Sequence, residues 1–211
     1  MTTAEPIKFF QLKHNLTPDG KIGAKTCAKM REIWGLSKEQ LAHFLGQGHI
    51  ESGDWSKMRE NMNYSAERLG FVFGKYFPDK PTCDAYEFKA EKIANYVYDD
   101  KNRSYNSKLG NTQLGDGWKY RASGIGITGR ENVTRFAKFI RNLNIIENPD
   151  LIWQEYYFES WLFFFMNKKI WIDCLTVDNN SCKKVTRIVN GGENHLKERT
   201  EKTIYYFNLQ K

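Results

Sequence analysis

Hydrophobic residues recur at helical spacing along most of the chain. Ser37-Lys-Glu-Gln40 is a capping box, a pattern that is typical of a helix start. The apolar positions that follow fall on one helical face: Leu41, Phe44, Leu45 and Gly48. Gly53 is expected to end this helix, because glycine commonly occupies the left-handed position after a last turn.

The same spacing predicts further helices. A turn-rich run from Leu16 leads into a helix over Ala24 to Trp34. Three later stripes are marked by Ala90, Ile93, Tyr96 and Val97, by Val133, Phe136, Ala137 and Ile140, and, as the last stripe, by Val185, Ile188 and Val189. The segment from Glu155 to Met166 is apolar nearly all round, which predicts a central buried helix.

The helical pattern stops between Asp99 and Gly129. Glycines recur in this stretch, at Gly110, Gly115, Gly117, Gly124, Gly126 and Gly129. A long ordered loop inside a compact domain is usually functional. Strand signals are few, so the predicted class is mainly α, with a long loop and at most a small hairpin between residues 110 and 128.

Charge narrows the choice of partner. The 211 residues include 32 Lys and Arg against 25 Asp and Glu, a formal net charge of +7. A basic surface favours nucleic acid, anionic lipid or a bacterial cell wall. The basic residues are dispersed and match no recognition motif, so no nucleic-acid partner is expected. The longest charge-free apolar stretch, Ser160 to Asn167, is too short for stable membrane insertion. The first residues lack the pattern of a secretory signal, which predicts synthesis in a cytoplasm.

The four cysteines indicate no metal centre. They are Cys27, Cys83, Cys174 and Cys182, with no CxxC pair and no histidine at zinc-finger spacing. Cys174 and Cys182 are close enough in sequence to form a disulfide across a loop. Free thiols in a reducing compartment are the favoured interpretation.

Two glutamates are candidates for acid and base chemistry. Glu51 lies two helical turns after Phe44, at the edge of the apolar stripe, and partial burial favours the protonated carboxyl group that a general acid needs. On geometry alone, a helix-terminal Glu flanking the core is the more common case. A chain that turns back after Gly53 brings Glu60 across a cleft, and carboxylates about 6.5–9.5 Å apart suit an inverting glycosidase.

Polar and aromatic residues near the loops are further candidates. The hydroxyl of Thr128 is placed to hold a water, although a helix N-cap is the commoner role for such a residue. Asn190 is placed to bind a sugar, with a C-terminal cap as the alternative. Sugar rings stack on aromatic faces, and ordinary packing is the alternative for the three rings here: Tyr64, Trp118 and Tyr120.

Sequence blocks in one consistent order resemble the glycoside hydrolase family 19 group, which contains chitinases and bacteriophage endolysins. The matching segments are Phe44-Leu-Gly-Gln-Gly-His-Ile-Glu-Ser-Gly53, Glu60-Asn-Met-Asn-Tyr-Ser65, Lys92 to Tyr98, Gly115 to Arg121, Ile127 to Asn132, Trp161 to Phe165, and Val185 to Gly192 followed by Arg199. The resemblance covers about residues 37–205 and implies a lysozyme-like, mainly α fold.

The resemblance also implies roles. Glu51 matches the general acid, Glu60 the base that acts on water, and Thr128 the hydroxyl that helps place that water. The matching substrate-binding amides are Asn132 and Asn190, and the arginines that orient the carboxylates and line the cleft are Arg121 and Arg199. Neither a metal nor an organic cofactor is implied.

Two departures from the family pattern concern the site. Ile50 stands where the family usually has histidine before the acid, and His49 is displaced by one position. In the shortened segment from Arg121 to Gly126, Ser123 replaces the usual second arginine and Gly126 the usual glutamine.

The domain interpretation follows from these motifs. Thr17 to Thr26 looks like the D-G-x-x-G-x-x-T turn of peptidoglycan-binding domains. We predict a helical extension over residues 1–36 and a catalytic domain over residues 37–211.

The expected function is that of an endolysin, a monomer that cleaves β-1,4 glycosidic bonds of peptidoglycan by an inverting mechanism. It would wait in the host bacterial cytoplasm and reach the cell wall at lysis. The alternatives are a chitinase and a wall-binding protein without activity.

Overall fold

A computed structural model describes residues 5–56, 59–121 and 125–211 of the chain. These residues are mainly helical, and none of them belongs to a β-strand. The predicted mainly α class is therefore confirmed. The described part of residues 110–128 holds a short helix and turns instead of a hairpin, and Ser123 and Gly124 lie outside the described residues.

The helices are short and follow one another closely. The α-helices are α1 Glu5–Lys13, α2 Ala24–Trp34, α3 Lys38–Glu51, α4 Ala66–Phe73, α5 Lys80–Tyr86, α6 Ala90–Tyr98, α7 Asp116–Lys119, α8 Arg130–Ile140, α9 Asn144–Glu147, α10 Leu151–Gln154, α11 Tyr157–Asn167, α12 Asn179–Asn190 and α13 Leu196–Asn208. Three 3₁₀ turns cover Asp100–Asn102, Tyr105–Ser107 and Ile170–Asp173.

The chain divides into two compact units. The first unit consists of residues 1–58 and 153–211, and the second unit consists of residues 59–152. In the first unit, Phe10 of α1 packs against Trp34 of α2 and Phe158 of α11, with ring centroids 5.5 and 5.7 Å away. The proposed boundary at residue 36 stays a prediction.

Helix α3 forms as its sequence predicts. The Ser37 hydroxyl accepts a hydrogen bond from the Gln40 amide at 3.1 Å, and the Gln40 side chain accepts one from the Ser37 amide at 3.0 Å. The predicted stripe is buried: Leu41, Phe44, Leu45 and Gly48. The helix ends at Glu51, and Gly53 adopts a φ of 58°, so the predicted stop is also confirmed. This helix end is what places Glu51.

Aromatic side chains fill the core of the first unit. Phe44, Trp55 and Trp161 are buried and in ring contact through Trp55, with centroids 6.3 and 5.8 Å apart. Helix α11 begins two residues after the predicted start, and its Met166 is 51% exposed. The predicted burial of this segment therefore holds over most of the helix but not at its end.

Helix α13 follows the stripe that was expected to be the last. No stripe predicted α13, because this helix buries polar as well as apolar side chains, among them Arg199 and Thr203. A helix with so few buried apolar positions shows no apolar stripe. Helix α13 packs closely on α3, since a Cβ atom added to Gly46 would lie 2.2 Å from the Thr203 hydroxyl.

The second unit has its own core, which includes Met62, Leu69, Phe77, Ile93 and Val97. The predicted stripes on α6 and α8 are confirmed as helices. Helices α4 and α5, which no predicted stripe covered, complete this core. Helix α7 lies within the glycine-rich segment, where a Cβ atom at Gly117 would lie 2.4 Å from the Ala94 carbonyl oxygen.

The cysteines and charged groups show no metal-site arrangement in the described ranges. All four cysteines are free thiols and are buried. No three His, Cys, Asp or Glu side chains among the described residues are grouped as metal ligands would be. None of the helices in that part of the chain combines the length and the apolar character needed to cross a bilayer.

Candidate active site

Glu51 is the last residue of α3 and lies beside two other predicted site residues. Its Oε1 atom accepts a hydrogen bond from Nη2 of Arg199 at 2.5 Å and a longer one from Nδ2 of Asn190 at 3.4 Å. The side chain is 29% exposed. The first unit thus brings together Glu51, Asn190 and Arg199, which stand at the ends of α3 and α12 and near the start of α13.

Arg199 belongs to a buried hydrogen-bond network. Its Nη1 donates to the Gln47 side chain at 2.8 Å and its Nε donates to the Asn194 carbonyl oxygen at 3.0 Å. Gln47 in turn donates to the Thr186 hydroxyl at 3.0 Å. Only 1% of Arg199 is exposed, so these partners compensate a desolvated charge. Arg199 is therefore placed to orient Glu51 from below the surface.

Gln47 is a site residue that the sequence interpretation did not single out, although it lies within the quoted motif. Gln47 and Glu51 are four positions apart on α3 and so share one face of the helix. Arg199 contacts both side chains. That spacing was the available signal, but the contact with α13 could not be read from it.

The hydrogen bonds around Glu51 distinguish its two oxygen atoms. Oε1 accepts both bonds, and Oε2 receives none from the described residues. A carboxylic acid carries its proton on one oxygen and accepts hydrogen bonds on the other. The arrangement therefore leaves Oε2 as the oxygen that is available for proton transfer.

His49 interacts on another side of the α3 end. Its Nδ1 lies 3.1 Å from the Tyr206 hydroxyl and 3.2 Å from Oδ1 of Asp54. Burial, together with the positive charge of Lys202, lowers the pKa of His49. The histidine that is displaced by one position in the sequence thus pairs with Asp54 and Tyr206 rather than with Glu51.

Glu60 lies in the second unit, in the segment that precedes α4. Its Oε2 accepts a hydrogen bond of 2.5 Å from the hydroxyl of Tyr98, the last residue of α6. Burial and the charge of Glu60 raise the pKa of Tyr98, so this hydroxyl stays protonated as the donor. Burial and the same carboxylate also raise the pKa of Tyr64, whose ring packs edge-on against Phe73 at 5.4 Å.

Thr128 stands in a constrained turn before α8. Its amide donates to the Gly126 carbonyl oxygen at 2.9 Å, and its own carbonyl accepts from the Asn132 side chain at 2.8 Å. The N-cap of α8 is Gly129, with a φ of 93°, so Thr128 does not have the alternative capping role. Within the described residues its hydroxyl makes no hydrogen bond. Asn132 uses its amide group to hold this turn.

Arg121 and Trp118 form a stacked pair in the second unit. The guanidinium carbon of Arg121 lies 3.4 Å from the Trp118 ring centroid, and Nη1 donates to the Trp118 carbonyl oxygen at 2.7 Å. Burial, with the charge of Arg59 as the next cause, lowers the pKa of Arg121 to about 10. Arg121 therefore remains charged at neutral pH while it covers one face of Trp118.

Tyr120 packs inside the second unit. It is completely buried, and its hydroxyl donates to the Ile146 carbonyl oxygen at 3.0 Å. This position corrects the suggestion that its ring stacks on a sugar, because no ring face reaches the surface. Ordinary packing beneath the loop, the stated alternative, describes Tyr120.

Comparison with known proteins identifies the family. No family model matches the chain. A protein of Haemophilus influenzae described as a glycosyl hydrolase family 19 domain-containing protein is 39% identical over 179 residues, covering 82% of this chain and 80% of the relative. The chain belongs to glycoside hydrolase family 19. This membership confirms the family resemblance and a glycosidase-type activity, and the helical structure agrees with the lysozyme-like fold of family 19.

Proposed function

We propose that this family 19 protein is an endolysin that hydrolyses β-1,4 glycosidic bonds of bacterial peptidoglycan with inversion. The observation that carries the hydrolytic part is the environment of Glu51, whose Oε1 is held by Arg199 and Asn190. Held in this way, the carboxyl group has a defined direction for proton transfer, which general acid catalysis requires.

In the proposed reaction, Glu51 gives its proton to the glycosidic oxygen as the bond from that oxygen to the anomeric carbon breaks. Water attacks the anomeric carbon from the opposite face, and Glu60 accepts the proton that the water loses. The Thr128 hydroxyl holds this water. Arg199 and Asn190 keep Glu51 oriented, and exchange with solvent returns both carboxyl groups to their starting states.

The choice of peptidoglycan rests on charge and on the N-terminal turn. The net charge of +7 favours an anionic envelope. Gln11 holds the Asp19-Gly20 turn, since it donates to the Asp19 carboxylate at 2.8 Å and accepts from the Gly20 amide at 2.9 Å. That turn lies within the motif that looks like those of peptidoglycan-binding domains.

Clearing of permeabilised Gram-negative cells tests the activity. We expect wild-type protein to reduce turbidity and Glu51→Gln to abolish the effect without loss of helical content. Glu201→Gln, an exposed carboxyl on α13, is the matched control and should leave clearing unchanged. Binding to walls without clearing, in wild type and Glu51→Gln alike, would show a wall-binding protein without activity.

Analysis of the products tests the substrate and the stereochemistry. Mass spectrometry of digested peptidoglycan should show a new reducing-end sugar, and NMR of the first products should show the inverted anomer. Equal assays on colloidal chitin provide the comparison. Cleavage of chitin with intact peptidoglycan would assign a chitinase instead.

The proposal also covers the oligomeric state of the protein and its location in the cell. We infer a monomer that stays in the host bacterial cytoplasm until lysis and then reaches the cell wall. Sedimentation analysis should give a mass near 24.8 kDa, and fractionation before lysis should recover the protein with cytoplasmic markers. A stable dimer, or early recovery from the periplasm, would contradict these two points.

A further inference from the structure

The hydroxyl of Tyr98 makes a short hydrogen bond to the candidate base. It lies 2.5 Å from Oε2 of Glu60, although the residues are 38 positions apart in the chain. A hydrogen bond from a hydroxyl group to a carboxylate is short and strong compared with one between neutral groups. The bond therefore fixes the orientation of the Glu60 carboxylate and favours its ionised form.

The surroundings keep Tyr98 a proton donor. Its side chain is partly buried, and burial together with Glu60 raises its pKa, so the phenol stays protonated at neutral pH. Other groups of the second unit also act electrostatically with Glu60. Among them are Tyr64, whose pKa the carboxylate raises, and Arg121, whose positive charge it favours.

The backbone of Tyr98 is fixed by a buried asparagine. Asn111 is completely buried, and its Nδ2 donates to the Tyr98 carbonyl oxygen at 2.9 Å. Its Oδ1 accepts from the amide of Arg130, the first residue of α8, at 2.8 Å. The backbone of Tyr98 is thus anchored to the same helix start that follows Thr128.

We propose that Tyr98 is a positioning residue for Glu60: its hydroxyl holds the carboxylate in one orientation and stabilises it in the ionised form that accepts a proton from water. This inference rests on the proposed role of Glu60 as base. Tyr98 does not touch the reacting atoms, and a phenol that remains protonated does not itself take the proton.

Tyr98→Phe tests the inference because it removes only the hydroxyl group. Loss of a hydrogen bond to the ionised form makes protonation of Glu60 easier. The acid limb of the rate–pH profile on peptidoglycan fragments should move up by about one to two pH units. Below neutral pH, kcat should fall about tenfold or more while KM changes little. Tyr96→Phe, on the same helix, is the matched control and should leave the profile in place.

A second measurement does not depend on activity. In protein labelled with ¹³C at glutamate carboxyl carbons, Glu60→Gln identifies the Glu60 signal, and its titration is then compared in wild type and Tyr98→Phe. A higher midpoint in the variant supports the inference even if the protein hydrolyses no wall. An unchanged midpoint in a folded variant overturns it. If wild type is inactive but the midpoint moves, the endolysin proposal fails and the Tyr98–Glu60 coupling stands.

A folding defect is separated by a third variant. Asn111→Ala removes the donor to the Tyr98 carbonyl oxygen and adds no charge that would itself raise the Glu60 pKa. If Tyr98→Phe does not fold, Asn111→Ala should still raise the Glu60 midpoint, by less than the loss of the hydroxyl would. An unchanged midpoint in this folded variant would then count against the inference.

Discussion

Arg199 and Glu51 are 148 positions apart in sequence, yet Nη2 of the arginine lies 2.5 Å from Oε1 of the glutamate. The arginine is almost entirely buried, whereas the carboxyl group is 29% exposed. A buried guanidinium that also binds Gln47 is a rigid donor with a fixed direction. The pair links α13 to the end of α3, so it serves both stability and the orientation of the candidate acid.

Arg199→Met should reduce both the stability of the protein and its turnover of substrate. The change leaves Gln47 and Glu51 without their shared donor, and breaking a largely buried pair is strongly destabilising. Because Glu51 is partly exposed, we expect a loss of about 2 kcal/mol in the free energy of unfolding, measured by urea denaturation. Turnover should fall further than stability explains, in assays at a temperature where the variant is folded.

The control for this change is Arg187→Met. Arg187 pairs with Glu193 at 2.5 Å, but its side chain is 58% exposed. An exposed pair of this kind contributes less than about 1 kcal/mol. Equal losses for the two variants would show that burial of Arg199 adds nothing to the pair.

Local patterns predicted the parts of the fold that depend on local chemistry. The capping box at Ser37 and the stripe beginning at Leu41 predicted α3 because a cap and an apolar face act within one helix. Helix α13 had no such signal, because two of its buried residues, Arg199 and Thr203, are polar and are stabilised by hydrogen bonds. Only its place after the Gly191-Gly192 ending, through the family resemblance, directed attention to Arg199.

The residues of the candidate site likewise divide into those that local sequence indicates and those that depend on distant contacts. Glu51, Glu60 and Thr128 were candidates from their positions in the sequence and received their roles from the family motifs, whereas Gln47 and Tyr98 were not singled out. Each of the latter acts through a contact with a residue far along the chain, 152 positions for Gln47 and 38 for Tyr98. Spacing along one helix cannot predict such partners. Tyr120 shows the converse, since an aromatic residue beside a loop can equally be completely buried.

The close approach of α13 to α3 predicts a severe effect for Gly46→Ala. The added Cβ atom would lie 2.2 Å from the Thr203 hydroxyl and 2.8 Å from its backbone nitrogen and Cα. Since backbone atoms cannot rotate away, the helices must separate. We expect a loss of at least about 2 kcal/mol in the free energy of unfolding.

Gly23→Ala provides the comparison in the same unit. No atom lies within 4 Å of a Cβ atom at that position, and its φ of −95° is open to alanine. Its effect should be about 1 kcal/mol, the typical cost of placing alanine at a helix N-cap. Similar stability of the two variants would contradict the close packing at Gly46.

Thr128→Val should reduce turnover while the protein stays stable. Valine keeps the shape of threonine but lacks the hydroxyl, which makes no hydrogen bond among the described residues. Turnover of peptidoglycan should fall about tenfold to a hundredfold, and the melting temperature should change little. Thr134→Val is the control, because the Thr134 hydroxyl donates to the Arg130 carbonyl oxygen at 2.8 Å within its own helix. Wild-type rates for Thr128→Val would remove Thr128 from the proposed reaction.

Buried His43 predicts how stability depends on pH. The ring is completely buried, its Nε2 lies 2.8 Å from the Thr176 carbonyl oxygen, and burial lowers its pKa from the ordinary value of 6.5. The unfolded chain therefore binds a proton at a pH where folded His43 does not. The free energy of unfolding should be highest above pH 6.5 and should fall as the pH drops from there towards the lowered pKa.

Urea denaturation at a series of pH values measures this dependence in wild type and in His43→Gln. The free energy of unfolding of the variant should fall less steeply below pH 6.5 than that of wild type. Part of the pH dependence should remain, because the pKa of His49 is also lowered in the folded state. His195→Gln, which changes an exposed histidine, should retain the wild-type dependence. If the free energy of unfolding of His43→Gln falls as steeply as that of wild type over this pH range, burial of neutral His43 is not the source of the lost stability.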